Sequence, residues 1–172
     1  MSKFQKKLIG QKGFTLVEII VAIAILAFGI VLVYSAFGLT VTLTYNAAYR
    51  FTAASLAHEG LEIIKNIRDT NFLNGTAWPS TFISGPCATG CMADYKTLTP
   101  AQLTAYTGAT LSLDGDGFYS YSGITPTLFS RKITISPVAG TANALLVDVA
   151  VLWNYNGKSF TVDSQEYLYN WH

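Results

Sequence analysis

Side chains that commonly carry out catalysis are few in this sequence. It has 172 residues, and its two histidines, His58 and His172, belong to no recognisable motif. Covalent catalysis needs a nucleophile beside a base that a third group orients. No spacing in the sequence offers that arrangement or a glycine-rich phosphate loop. The sequence therefore predicts a protein that is not an enzyme and that uses no cofactor.

The only two cysteines, Cys87 and Cys91, are four residues apart. A zinc site needs more ligands than two thiols, and neither histidine stands near them in the sequence. A thiol pair outside the cytoplasm is typically oxidised, so we expect a disulfide. Its ring would be very small, and we expect it to pin the tip of a loop and to stabilise the fold less than a long-range bridge would.

Two aspartates, Asp114 and Asp116, alternate with glycines in a pattern that resembles the beginning of a calcium-binding loop. An EF-hand also needs a bidentate acid downstream, and the next acidic residue is Asp148. We therefore expect a turn that precedes a strand at residues 118–121. Calcium binding by Asp114 and Asp116 is the alternative, and no other metal site is predicted.

One carboxylate, Glu18, stands at the edge of a long apolar run. Residues 19–39 contain no charge and no proline, and about 20 such residues in a helix span the hydrocarbon of a bilayer, about 30 Å. A carboxylate at that edge costs free energy unless it is paired. The residues before it include no acid and four lysines, which place the N-terminus in the cytoplasm: Lys3, Lys6, Lys7 and Lys12.

The apolar run has two more general interpretations. A secretory signal peptide would have a shorter apolar region followed by a small-residue cleavage site, and this run is too long and lacks a convincing site of that kind. An uncleaved signal anchor is compatible with hydrophobicity alone. The residues that join the basic leader to the apolar run favour a more specific interpretation.

Residues 13–18 read Gly-Phe-Thr-Leu-Val-Glu. With the basic leader and the apolar run, they resemble the N-terminus of the type IV prepilin and pseudopilin family. That resemblance implies cleavage between Gly13 and Phe14 by a prepilin peptidase, which also N-methylates Phe14. The new amine would lie one helical turn from Glu18, and methylation would retain its positive charge. In a filament, the Glu18 carboxylate of an incoming subunit could then pair with the Phe14 amine of its neighbour and set the axial register.

The order of these segments predicts four regions. We expect a leader at residues 1–13, a transmembrane and polymerisation helix at 14–43, an amphipathic continuation of that helix at 44–73, and a globular domain at 74–172. Apolar residues recur at helical period in the continuation, and His58 and Glu59 are expected on its solvated face. The apolar face includes Leu56, Gly60, Ile63 and Ile67.

The globular region changes character along its length. Residues 74–116 are rich in Gly, Thr, Ser and Pro, which indicates a long loop with short elements such as a helical turn at 99–103. Alternating apolar residues then predict strands at 128–136 and 145–154, and Asn156-Gly157 predicts a tight hairpin before a strand that runs toward Tyr169. The expected fold class is α+β, a long helix packed on a C-terminal antiparallel sheet, and the resemblance implies the same pilin-like architecture.

These features predict a structural subunit of a type IV pilus. A PilV-like minor pilin is favoured because the chain ends in a similar strand, tryptophan, hairpin and strand, in which Trp153 would pack the sheet or contact neighbouring subunits. Two alternatives are a pseudopilin of a type II secretion or competence system and a membrane-anchored binding protein that never polymerises. The last would not need Glu18.

The resemblance also implies partners and a location. The partners would be the prepilin peptidase, other pilin or pseudopilin subunits, the inner-membrane assembly platform and the membrane. The chain would cross the inner membrane once with its N-terminus inside, and would then enter an extracellular or periplasmic filament. Charged residues make up 12% of the chain and the net charge is +1, which is too little charge for a nucleic-acid surface.

Overall fold

The computed structural model describes residues 13–75, 80–141 and 143–170, with side chains at 80 and 81 excepted. The basic leader up to Lys12, together with Trp171 and His172, lies outside the described residues. The chain divides into two compact units, one ending at Asn46 and the other beginning at Ala47.

One α-helix, α1, occupies Leu16–Leu73 and contributes to both units. No proline interrupts it, and its alanine and leucine content favours a helix. In the first unit every described residue from Gly13 to Tyr45 is exposed. In the second unit the helix buries the apolar stripe expected from its period: Ala53, Leu56, Ala57, Gly60, Leu61, Ile63, Ile64 and Ile67.

The remainder of the second unit is mostly β-structure. A short helix, α2 (Ser80–Ile83), precedes 3₁₀ turns at Pro86–Ala88 and Pro100–Gln102. The strands are β1 (Cys91–Met92), β2 (Thr104–Ala105), β3 (Ser112–Leu113), β4 (Tyr119–Ser120), β5 (Thr125–Pro126), β6 (Phe129–Pro137), β7 (Ala144–Tyr155) and β8 (Lys158–Tyr169). They form a five-stranded antiparallel sheet in the order β2-β1-β6-β7-β8 and a three-stranded antiparallel sheet in the order β4-β3-β5.

Local sequence signals account for the two best-defined turns. Asn156 and Gly157 have φ angles of 50° and 74°, which are the values that a two-residue type I′ hairpin requires. Thr99 precedes the turn at Pro100–Gln102, and its backbone N–H donates to the Gln102 side-chain oxygen over 3.0 Å. Both turns, and the long strands on either side of the hairpin, confirm the predictions from sequence.

The core of the second unit lies between α1 and the inner face of the five-stranded sheet. In the ladder, Ile133 is opposite Val149, and Val149 is opposite Ser164. Ile133 and Val149 are both fully buried. The helix approaches this row at Gly60, where a Cβ atom would lie 2.8 Å from Cγ1 of Val149. An α-helix packed on an antiparallel sheet is therefore the observed architecture, as predicted.

Candidate functional site

The first turn of α1 is organised by Thr15. The Thr15 hydroxyl oxygen accepts a hydrogen bond from the backbone N–H of Glu18 over 3.3 Å, and its carbonyl oxygen accepts one from Ile19 over 3.2 Å. Thr15 is thus the N-terminal cap, and Glu18 lies in the first turn, where the helix dipole favours a negative charge. The T-x-x-E spacing is a known capping signal, although our sequence analysis did not use it.

Phe14 and Gly13 precede the cap in an open environment. Phe14 is 78% exposed, and no heavy atom lies within 4 Å of the position that a Gly13 side chain would occupy. A peptidase that cleaves between these two residues needs access to the backbone on both sides of the bond. Nothing in the described part of the chain covers this peptide bond in the structure.

The helix after this turn exposes an unbroken apolar surface. Its large side chains are at least half exposed throughout residues 14–37. Among the described residues, α1 is the one helix that is long and apolar enough to cross a membrane. Exposed apolar area on this scale is unfavourable in water, so the surface needs lipid or other helices around it.

Hydroxyl groups at the end of this surface have partners within the helix. Ser35, Thr40, Thr42 and Thr44 each donate to the carbonyl oxygen four residues earlier, over 2.9–3.1 Å. Such bonds satisfy a hydroxyl without water. They allow polar residues to remain in a helix that lipid or neighbouring helices surround.

Comparison with protein families decides the nature of this segment. Residues 9–34 match the family described as the prokaryotic N-terminal methylation motif. These residues are a type IV prepilin-like signal. No curated protein and no solved structure matches the chain. The prepilin-like signal supports a pilin-like or pseudopilin-like protein, and it points to a structural family and away from an enzyme. With the apolar helix, it is consistent with a membrane-anchored protein.

Downstream of the prepilin-like signal, a disulfide joins Cys87 and Cys91, whose Cα atoms are 4.5 Å apart. We expected this bridge to pin a loop tip, and that expectation is wrong. Both cysteines are fully buried in the core, because Cys91 begins β1 and is paired with Ile133 of the central sheet. The bridge therefore attaches the turn at Pro86–Ala88 to β1, an interior strand of the five-stranded sheet.

Asp114 organises the turn that we expected before β4. Its Oδ1 atom accepts from the N–H groups of Asp116 and Phe118 over 3.1 and 3.0 Å, and its Oδ2 atom accepts from the Tyr95 hydroxyl over 2.5 Å. The Lys96 ammonium is 3.7 Å from Oδ2. The Tyr95 hydrogen bond, helped by the two N–H groups and by Lys96, lowers the pKa of Asp114. Both carboxylate oxygens of Asp114 thus accept hydrogen bonds from groups of the protein itself.

A metal centre would require more ligands than this turn offers. Within residues 13–75, 80–141 and 143–170, no three His, Cys, Asp or Glu side chains are grouped so that they could hold a metal ion. Asp116 does not share a metal-ligand cluster with Asp114, although the two are close in sequence. His58 is exposed on α1.

A buried arginine is the main feature that the sequence analysis missed. Arg131 is fully buried, and its guanidinium donates to the carbonyl oxygens of Leu56 and Ala93 over 2.9 and 2.7 Å and to the Glu59 carboxylate over 3.3 Å. We expected Glu59 on a solvated face, and this was wrong because Glu59 is the counter-ion of Arg131. The Tyr121 hydroxyl donates to the Arg131 carbonyl oxygen over 3.0 Å, and burial raises the pKa of Tyr121 to about 12.

This arginine could have been suspected from the strand pattern. Arg131 occupies an inward position in the same alternation as Ile133 and Ile135. A charged residue at such a position needs a partner from another element. The sequence alone does not say which acidic residue supplies it.

Proposed function

We propose that this protein is a structural subunit of a type IV pilus, most closely a minor pilin, which is processed after Gly13 and assembled through its N-terminal helix. The observation that carries the proposal is the prepilin-like signal at residues 9–34, within which α1 begins and exposes its apolar side chains. A helix of this kind gains its stabilisation from lipid before assembly and from neighbouring helices afterwards.

Cleavage would convert a neutral peptide bond into a charged group at the start of the helix. The amine of Phe14 would stand beside the cap formed by Thr15 and within one turn of Glu18, which is itself held in the first turn. N-methylation of Phe14 keeps that amine positive. The Glu18 carboxylate of one subunit and the Phe14 amine of its neighbour are then the pair that neutralises both charges inside a helical core.

Several further features support a pilin-like subunit. The strand β7 carries Trp153 near its end, and the type I′ turn at Asn156 and Gly157 returns the chain as β8. This strand, tryptophan, hairpin and strand is the pattern that favours a PilV-like minor pilin.

The chain would cross the inner membrane once with its N-terminus in the cytoplasm, and the assembly platform of that membrane would receive it after processing.

The decisive experiment determines the mature N-terminus. The protein would be purified from cells with and without the prepilin peptidase, and its intact mass and N-terminal sequence would be determined. We expect a chain that begins with N-methylated Phe14 only when the peptidase is present. A chain that starts at Met1 in both strains, or that is cut at another bond, would contradict the proposal.

A second measurement separates a pilus subunit from a secretion subunit. Sheared surface fibres would be isolated and tested for the mature chain by immunoblot. Its presence at a low ratio to the principal fibre protein is expected of a minor pilin. Its absence from fibres, together with loss of protein secretion on deletion of the gene, would instead identify a pseudopilin.

A further inference from the structure

An aromatic cluster lies at the beginning of the second unit, around Tyr49 of α1. The Tyr49 ring is 4.9 Å from that of Tyr155 and 6.2 Å from that of Phe129. Trp153 stacks on Phe160 with ring centroids 5.4 Å apart. These residues come from the helix, from β6 and from both strands of the β7–β8 hairpin, so the cluster attaches the hairpin to the beginning of this part of the helix.

Two cations flank the cluster. The Arg50 guanidinium lies over the Phe160 ring at 5.7 Å, and Lys158 is opposite Tyr155 in the first pair of the hairpin. Arg50 and Lys158 are both exposed. No ion pair joins either one to an acidic side chain in the part of the chain that the structure describes.

The acidic residues nearest to these cations in sequence do not neutralise them. Glu59 is nine residues beyond Arg50 on the helix, and its carboxylate pairs with Arg131. Asp163 is five residues beyond Lys158, and an odd separation along a strand places its side chain on the opposite face of the sheet. Tyr49, Arg50, Tyr155 and Lys158 together form a surface at the hairpin end of the second unit. We call it the headgroup surface.

The headgroup surface begins only ten residues after the apolar run in the sequence. Only residues 40–48 separate that run from Tyr49, and the ten steps between Leu39 and Tyr49 cover about 15 Å as a helix and at most about 36 Å if fully extended. When the apolar run lies in a bilayer, so short a connection keeps the headgroup surface near that bilayer and raises its effective concentration there. Tyrosines with arginine or lysine are the residues typical of the membrane–water interface.

We propose that the headgroup surface binds anionic lipid headgroups of the same membrane in which the apolar helix is embedded. The inference rests on the proposed function, since it requires the chain to be membrane-anchored before assembly. Arg50 and Lys158 contact lipid phosphates, and Tyr49 and Tyr155 lie at the level of the headgroups. The interaction holds the second unit at the bilayer surface until the subunit is extracted into a filament.

The test uses the full chain in phosphatidylcholine vesicles prepared with and without phosphatidylglycerol. A nitroxide on Ser159→Cys, beside Lys158, reports collisions with a lipid that carries nickel on its headgroup. A nitroxide on Thr141→Cys, an exposed site in the turn between β6 and β7, is the matched control. We expect the label at position 159 to collide more often in anionic vesicles, and the label at position 141 to be indifferent to lipid charge.

Charge variants test whether Arg50 and Lys158 are the residues that bind the anionic vesicles. Each basic residue near an anionic surface favours binding about fivefold, so R50Q/K158Q should lower the ratio of bound to free states by about 25-fold. K96Q/K132Q removes the same charge elsewhere and should have no effect, while R50K/K158R should retain binding. High salt should also release the surface, because the screening length falls from about 10 Å at 0.1 M to about 3 Å at 1 M.

The outcomes separate this inference from the proposed function. Flotation of the vesicles shows whether the chain is anchored at all. A chain that floats, but whose label at position 159 ignores lipid charge or responds equally to K96Q/K132Q and R50Q/K158Q, would overturn the inference alone. A chain that does not float with either kind of vesicle would overturn both.

Discussion

Gly60 on α1 and Val149 on the interior strand β7 are so close that a methyl group added to Gly60 would lie 2.8 Å from Cγ1 of Val149. The side chain of Val149 is fully buried and, being branched at Cβ, has little freedom to rotate away. The contact places the helix backbone directly on the sheet. Gly60 is therefore required for the packing distance and not for an unusual backbone conformation.

Gly60→Ala should destabilise the second unit despite the better helix propensity of alanine. Propensity favours alanine by about 1 kcal/mol, while overpacking a core costs about 1–3 kcal/mol. We expect a net loss of about 1 kcal/mol in the free energy of unfolding, measured by denaturant titration of the detergent-solubilised chain. In a double-mutant cycle, Val149→Ala should relieve this loss. Additive effects of the two substitutions would show that the contact is not the cause.

Arg131→Ala should be far more damaging than Glu59→Gln. The buried guanidinium donates hydrogen bonds to the carbonyl oxygens of Leu56 and Ala93 over 2.9 and 2.7 Å. Its removal abolishes both bonds. Each buried acceptor that loses its donor costs about 1–3 kcal/mol, and the space vacated by the arginine side chain adds the cost of a cavity. Glu59→Gln leaves the buried guanidinium without its counter-ion, but glutamine retains an acceptor and the side chain is 34% exposed to water, so we expect a smaller loss of about 1–3 kcal/mol. Unfolding midpoints that fall equally in both variants would contradict a central role for Arg131.

The disulfide between Cys87 and Cys91 should contribute modestly to stability. A ring of five residues corresponds to about 2 kcal/mol in the chain-entropy model, which we expect to be lost in C87A/C91A. Because both sites are fully buried, C87S/C91S should lose about 1–3 kcal/mol more, through its buried hydroxyls. Alkylation before and after reduction checks that the thiols are paired. Free thiols in protein from the extracytoplasmic compartment would contradict the disulfide.

Acidification should loosen the turn at Asp114. Its pKa is lowered in the folded protein, so its stabilising contribution is complete above the unfolded value of about 3.9 and is lost as the pH falls through the lower folded value. We expect hydrogen exchange at the Asp116 and Phe118 amides to accelerate, relative to the intrinsic rate, below about pH 4. Asp114→Asn should exchange faster at neutral pH and lose this acid dependence. The same acid dependence in Asp114→Asn would assign the titration to another group.

Glu18→Ala should separate processing from assembly. The proposed cleavage lies between Gly13 and Phe14, so the variant should still be cleaved, but it should be lost from sheared fibres because the neighbouring amine has no counter-ion. Thr15→Ala is the informative control. It removes the hydroxyl that caps the helix, costs about 1 kcal/mol and keeps the carboxylate, so incorporation should persist. Normal incorporation of Glu18→Ala into fibres would show that assembly does not require the pairing of Glu18 with the neighbouring amine.

The features that the sequence predicted correctly are local. The apolar run, the prepilin-like signal, the helical period after it and the Asn156-Gly157 hairpin each depend on one continuous stretch of sequence. The cap at Thr15 is also local, and the T-x-x-E spacing would have revealed it. The strand β4 was predicted from the turn that precedes it. The two-residue strands β3 and β5 were not predicted, because so short a segment has no measurable period.

What the sequence determined by itself is the nature of the N-terminal segment. The burial preference of a charge-free apolar run and the adjacent prepilin-like signal do not depend on the rest of the fold. Only the tertiary structure decided that Glu59 pairs with Arg131, 72 residues away, that the cysteines are buried and that Arg50 and Lys158 flank one end of the sheet. Each of these relationships depends on how the helix lies on the sheet. That arrangement is decided by close packing at Gly60 and along the buried strand faces, and no short window of sequence contains it.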